Sequence, residues 1–470
     1  EMTMSSPDAT PALRSLKLDG RMVLPGDEGW AEARTVWNQL VDPEPAAILQ
    51  AASPEDVSAG IIAAKRNQLP LAVRGAGRNL AGHASVQGGL VIDLARLDDV
   101  GVNPGTRIVT VDGGATLGDV DRGTIGHQTA VPGGTSSGTG IGGLTCAGGL
   151  GWLTRAYGLS IDNLQDVHLI TARGEQVHAS HQDNSELFWG MRGAGSNFGV
   201  VTRFEFQGVH LRPEVYAGAA WFLPRRWRDI LRFYADWTAD LPDELTTMAR
   251  FLRPMAHWDV PDAFKDEPAL SIGWCWAGPN MAKGEQAVAA LLGADPEHLI
   301  AGSTNWLDLQ TRNDDFYPQV ARAYFKSLYF DEFTDDIVNT LTDYAGACRS
   351  PLTATEIHHL GGAFGRVAED ATAFGNRDAK YLLNIRGVWS DPTADARQIG
   401  WVRDFWSHME RYARGGHYAN FVSPEEERDA RAAARAAYPP AAWERLVELK
   451  NEWDPLNVFR LNCNVPPSRF

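Results

Sequence analysis

Residues 131 to 163, VPGGTSSGTGIGGLTCAGGLGWLTRAYGLSIDN, carry ten glycines in 33 positions. No other stretch limits the fold as strongly. A flexible linker or a collagen-like repeat is excluded, because the segment has no short period and keeps Trp152, Leu153, Tyr157 and Leu159. A folded segment this rich in glycine accommodates positive φ and brings backbone N–H groups close to a ligand. An anionic diphosphate is the natural guest. A second loop of the same character, VRGAGRNLAGHASVQGG (73–89), follows a short apolar run and precedes the strand-like Leu90-Val91-Ile92.

A chain of 470 residues exceeds one hydrophobic core, so two closely packed domains are expected. With 44% hydrophobic and 22% charged residues it reads as an ordinary globular protein. A net charge of −16 argues against binding to nucleic-acid phosphates. No apolar run approaches the roughly 20 residues that span a bilayer, and EMTMSSPDATPALRSL lacks the basic start and apolar middle of a secretory signal. Cys146, Cys275, Cys348 and Cys463 show no CxxC spacing. The expectation is a cytoplasmic protein with reduced thiols, no metal site, no membrane or nucleic-acid partner, and a monomeric or homodimeric state.

Along the chain, apolar runs alternate with helical stretches. AAILQAAS reads as a strand, and Ser53 caps the helix PEDVSAGIIAAKRNQ, which has Pro54 at its first position and Glu55 and Asp56 in its first turn. QDVHLITARGEQVHAS reads as a hairpin about Arg173-Gly174, and NSELFWGMRGAGSNFGVVTRFEFQ as helix, glycine loop and strand. From about 215 to 410 aromatic residues become frequent and the glycine loops disappear; glycine, proline and asparagine return at the end. This pattern divides the chain at 40–212, 213–410 and 411–470, the last completing the first domain.

Six segments in order carry a family resemblance: AVRGAGRN, GGLVIDL, GIGGLTCAGGLGWLTRAYGLSIDNL, ELFWGMRGAGSNFGVVTRFEF, GGHYANF and DPLNVFRLNCNVPPS. Over almost its whole length the chain resembles the vanillyl-alcohol-oxidase and berberine-bridge-enzyme superfamily of FAD-linked oxidoreductases. Within it the chain is most similar to the bacterial branch of secondary metabolism that includes the enterocin-pathway Favorskii-type flavoprotein. The resemblance implies an α+β fold: a PCMH-type FAD domain of two subdomains, and a substrate domain whose antiparallel sheet is covered by helices. It places FAD on Arg74, Gly75, Ala76, Gly77, Arg78 and Asn79, on Gly142, Gly143, Gly148 and Gly149, on Asp162 and Asn163, and on Asn197, Phe198, Gly199 and Val200. Asn420 and Asn462 would approach the flavin from the C-terminal part.

One letter departs from the pattern. Most members read Arg-x-Gly-Gly-His, with that histidine bonded to the flavin 8α-methyl, and here the position is Arg78. A guanidinium stays protonated and offers no nucleophilic lone pair. His83, five residues on and roughly 15 Å away along an extended chain, reads as a loop or surface histidine. A second link used by some relatives, a cysteine on flavin C6, falls at Ser136, while Cys146 reads as a packing residue. The expectation is noncovalent FAD, with Arg78 either supporting anionic reduced flavin or binding phosphate or solvent.

The resemblance also places Thr139 where side-chain size controls oxygen access; a small residue favours an oxidase with molecular oxygen as acceptor. Substrate-side candidates are Glu356 and its i+2 neighbour His358 on ATEIHHLGG, Tyr418 of GGHYANF, and Lys326 and Tyr324 of RAYFKSLYF. Glu356 in an aromatic pocket would have a raised pKa suited to general acid–base work. The aromatics between 220 and 410 fit a flat aromatic or polyketide-like substrate, or simply a core. Two functions remain open: an oxidase transferring hydride to flavin N5, and a non-redox cyclisation or rearrangement on the same scaffold.

Overall fold

Ser53 starts the helix Pro54–Arg66 by accepting the Asp56 N–H on its hydroxyl at 3.2 Å, and Pro54 fills the first position, where no N–H is needed. The helix buries Val57, Ile61 and Ala64 with Leu49 and Ile92 of the adjacent sheet. Gly60 makes that approach possible, since a Cβ there would lie 2.6 Å from Leu49 Cδ2. In this computed structural model, which describes residues 8–348, 350–425 and 427–470, the sheet runs Arg21–Val23, Ala47–Gln50, Leu90–Asp93, Leu71–Arg74 in space. Its last three strands are parallel, and Leu90–Asp93 is buried throughout, as a strand covered on both faces must be.

A second, antiparallel sheet has the spatial order Val100–Val102, Ile108–Asp112, Val200–Gln207, Leu164–Ile170, Gln176–Ser180. Gly174, at φ +78°, turns the hairpin between its last two strands. Val109, Val167, Phe204 and Phe206 share a core with Phe188 and Trp189 of the helix Ser185–Ala194, with Leu446 and Leu449 of the helix Trp443–Trp453, and with Val465. The C-terminal segment thus packs against residues some 250 positions earlier.

The third sheet is antiparallel throughout, in the order His298–Asn305, Glu214–Phe222, Ala269–Trp276, Leu245–Leu252, Ala354–His359, Tyr381–Trp389, Arg322–Phe330. The helices Trp227–Thr238, Met281–Leu292, Asp335–Ala347 and Asp395–Glu410 cover one face, burying Trp227, Leu231, Val288, Leu341 and Phe405 with the sheet's Ile357, Leu383 and Ile385. At about 1.5–3 kcal/mol for each fully buried large apolar side chain, this layer is what holds the sheet in place. Strand alternation then turns Glu356, His358, Asn384 and Arg386 to the opposite face, away from the helices. Among the described residues no helix is long and apolar enough to cross a membrane.

Candidate active site

A cavity of about 310 Å³ lies between the glycine loops and the face of the third sheet opposite those four helices. Its first wall is largely backbone: Gly75, Ala76, Gly77, Arg78 and Asn79 from one loop, Gly142 and Gly143 from the short helix Ile141–Ala147, and Gly199 and Val200 from the start of a strand. The loops interlock closely, because a Cβ on Gly140 would stand 2.9 Å from the Ala76 nitrogen. A Cβ on Gly75 or Gly143 would meet nothing within 4 Å, so at these two positions the missing side chain leaves open space. Asn420 and Asn462 complete this part of the wall. Asn462 donates to the Ser196 and Phe459 carbonyls, while its buried Oδ1 has no partner among the described residues. An exposed backbone wall with a spare acceptor suits an elongated ligand carrying phosphate and N–H or hydroxyl groups.

The opposite wall holds Glu356, His358, Arg386, Tyr317, Phe325 and Phe421, with Tyr418 between the two. Glu356 Oε1 lies 3.4 Å from Arg386 Nη1, and its Oε2 lies 3.4 Å from His358 Nε2 and 3.3 Å from Asn384 Nδ2. Burial alone would raise the Glu356 carboxyl; Arg386, His358 and Arg250 outweigh it and hold the pKa at about 2. The expected raised pKa is therefore corrected: the pocket around Glu356 is cationic rather than simply aromatic. Tyr418 Oη accepts the Gly149 N–H at 3.1 Å and Asn420 Nδ2 at 3.0 Å. Burial raises its pKa, so it stays a phenol with its own proton free to donate. Thr139 is also on the wall.

The FAD binding domain family matches residues 45–180, and the family described as berberine and berberine like matches residues 417–466. The chain thus carries an FAD binding domain and a berberine-like C-terminal segment. An uncharacterized FAD-linked oxidoreductase of Bacillus subtilis (strain 168) is 27% identical, with 97% of this chain and 99% of that protein aligned. The (R)-6-hydroxynicotine oxidase of Paenarthrobacter nicotinovorans is 27% identical over 99% of both chains. The solved glucooligosaccharide oxidase from Acremonium strictum, described with a 6-S-cysteinyl, 8α-N1-histidyl FAD, superposes with a TM-score of 0.84 at 21% identity, over 98% of each chain.

In this cavity, the two positions that the resemblance matches to covalent links meet each other. Arg78 Nη1 donates to Ser136 Oγ at 2.8 Å, and the guanidinium lies 4.6 Å from the Tyr317 ring centroid. Burial lowers the Arg78 pKa from the usual arginine value, opposed by Tyr317 and Asp314. Cys146 reaches the cavity, but burial pushes its thiol up to about 12, which leaves it an inert thiol. His83 lies in a loop, as expected, and also reaches the cavity wall, where burial pushes the imidazole down to about 4.

Several residues expected at the cofactor sit behind the wall. Arg74 turns away from it, with Nη1 on the Ala33 carbonyl at 2.6 Å, because its strand neighbour Val73 takes the inward position. Asp162 is consumed by a bidentate pair with Arg377, both contacts at 2.8 Å, and Asn163 Nδ2 holds the Tyr157 and Leu159 carbonyls. Asn197 ties down the C-terminal tail through the Val465 N–H and the Cys463 carbonyl, and Phe198 is fully buried in the core. Gly148 and Gly149, at φ +147° and +90°, serve the turn: a Cβ on Gly149 would lie 2.0 Å from Ser160 Oγ, and its N–H positions Tyr418.

Lys326 and Tyr324 are likewise corrected. Strand alternation sends them to the helix side, where both contact Glu425 and Lys326 stacks 4.3 Å from the Trp406 ring; Phe325 between them faces the cavity. Arg386 and Tyr317 are among the wall residues that the sequence motifs did not mark. Arg386 had a legible signal, since Asn384 and Arg386 stand at i and i+2 in the otherwise apolar strand YLLNIRGVW. Tyr317, in the irregular stretch after Arg312–Phe316, had none.

Proposed function

We propose that this protein is an oxidase that binds FAD without a covalent bond and acts on a small aromatic or polyketide-like metabolite of secondary metabolism, with molecular oxygen as acceptor. The residues 40–212 and 411–470 form the FAD module, and 213–410 the substrate domain. One observation carries the reading: a single cavity joins a glycine-backbone wall to a buried carboxylate–imidazole pair on the opposing sheet. The relative named for 6-hydroxynicotine oxidation is consistent with a small aromatic substrate.

Bound FAD supplies the hydride acceptor for a substrate C–H bond. Gly75 to Asn79 and Gly142 to Gly143 would hold it, with the Asn462 carbonyl oxygen accepting one of its donors. Glu356, with its pKa near 2, is ionised at neutral pH and is a weak base; its role is to hold the His358 ring in place through the contact of its Oε2 with His358 Nε2 at 3.4 Å. His358 is then the group that takes the substrate proton. Tyr418 donates to a substrate oxygen while Gly149 and Asn420 fix its phenol. Thr139, small enough to leave space at the wall, admits oxygen.

Two measurements test this. Acid precipitation of the purified yellow protein is expected to leave colourless protein and release FAD to the supernatant; colour retained in the pellet overturns noncovalent binding. Anaerobic mixing with aromatic and polyketide-like compounds is expected to bleach the flavin. Product formed without bleaching would instead establish non-redox chemistry.

A further inference from the structure

We propose that Arg386, with Arg78 across the Tyr317 ring, binds an oxygen anion on the substrate, so that the natural substrate carries a carboxylate or an equally acidic enol or phenol. The proposal rests on the substrate-domain reading above and narrows it to a chemical class.

Arg386 is 2% exposed, yet it forms part of the cavity wall. A guanidinium offers five donors in a planar fork. Nη1 is spent on Glu356 Oε1 at a long 3.4 Å, and the buried Nε and Nη2 have no hydrogen-bond partner among the described residues. Its remaining neighbours are rings: Cζ lies 4.9 Å from the Tyr317 centroid and 5.1 Å from that of Phe325. A buried guanidinium left this way is costly unless an acceptor arrives with the ligand.

The charge around it points the same way. Arg386 lies close enough to Arg78 and to Arg250 to repel the charge on each, which burial already disfavours, and the anions among them are Glu356 and Asp314. Asp314 is already engaged by the Ser136 hydroxyl and by the N–H and hydroxyl of Ser137. The next carboxylate, Asp315, faces outward to His257 and Trp258. Three cations against two anions make a positive site inside a chain of net charge −16. That imbalance is what an anionic ligand removes, and a low-dielectric cavity makes it strong. Arg386 is the better placed of the two arginines, because Arg78 already donates to Ser136.

The test uses benzoate and its uncharged isostere benzamide as probes, titrated into the holoprotein and read by perturbation of the flavin absorbance. Benzoate is expected to bind at least about tenfold more tightly than benzamide. Arg386→Met is expected to abolish that preference while retaining the same amount of FAD, and Arg386→Lys to restore part of it. Equal binding of the two probes by the unmodified protein overturns the proposal without recourse to any variant. Loss of FAD in Arg386→Met with the benzoate preference unchanged also overturns it, because the spare donors would then serve the cofactor. If the protein purifies without flavin, the FAD reading fails separately, and the same titration followed by tryptophan fluorescence still decides the anion site.

Discussion

Arg78 Nη1 donates to Ser136 Oγ across 2.8 Å, so the side chains at the two positions matched to covalent flavin links are bonded to each other. Ser136 in turn donates to Asp314, which joins the loop 73–79 through the glycine-rich segment to the short helix Arg312–Phe316. Replacing Arg78 by histidine removes the cation and supplies a ring nitrogen at the matched position. Arg78→His is expected to yield protein whose yellow colour remains in the acid precipitate, checked by absorbance and by a mass increase equal to FAD.

Glu356 contributes stability through its charge. Its folded pKa near 2 lies below the ordinary glutamate value of 4.5, so the contribution is fully present above pH 4.5 and is lost as pH falls toward 2. The shift corresponds to a contribution on the order of 3 kcal/mol. Glu356→Gln is expected to lower Tm at pH 7, by leaving Arg386 and Arg250 without their anion, and to flatten the acid limb of a Tm-against-pH curve. An unchanged acid limb would show that other carboxylates control it.

Asp121 has the opposite sign. It is buried with Trp306 Nε1 at 3.2 Å and Gln310 Nε2 at 3.1 Å as neutral donors, and burial raises its pKa to about 7. The folded protein therefore holds a proton that the unfolded chain releases near pH 4, and stability falls as pH rises from 4 through 7, by a loss on the order of 4 kcal/mol. Asp121→Asn is expected to abolish this decline and to raise Tm above pH 7 relative to the parent. Gln310 also donates to the Gly134 carbonyl on the cavity wall, so FAD retention at alkaline pH is expected to improve with it.

Position on the sheet separates His358 from Lys326. His358→Ala is expected to lower kcat by about 10²–10⁴-fold, the usual range for a lost general base. Lys326→Met, on the helix side of its strand, is expected to leave kcat within about threefold and to cost about 1 kcal/mol in denaturant unfolding, as its contact with Glu425 disappears. Comparable losses of kcat in both variants would contradict the assignment.

Two glycines distinguish cofactor space from backbone strain. Gly75→Ala places a methyl in open cavity and is expected to weaken FAD binding, measured on reconstitution of the apoprotein, with little change in Tm. Gly149→Ala meets Ser160 Oγ at 2.0 Å and forces alanine to φ +90°, so it is expected to lower Tm by an amount equivalent to about 1–3 kcal/mol.

The amino-acid order by itself determined the local elements and the presence of a backbone-lined site. Ser53-Pro54 with Glu55 and Asp56 behind it marks a helix start, Arg173-Gly174 turns a hairpin, and glycines at this density leave N–H groups that no side chain can screen. Composition could not decide which glycines face the ligand: Gly75 and Gly143 open onto the cavity while Gly149 packs on Ser160, a difference set by neighbours far away in sequence. Nor could motif position show that Asp162 is taken by Arg377, 215 residues later. The ionisation of Glu356 was equally hidden, because an ionisable group responds to the charges packed around it. Only the pairing of the strands Leu245–Leu252, Ala354–His359 and Tyr381–Trp389 brings Arg250 and Arg386 to that carboxyl. The sequence determined that there is a backbone-lined site; the tertiary structure decided its charge.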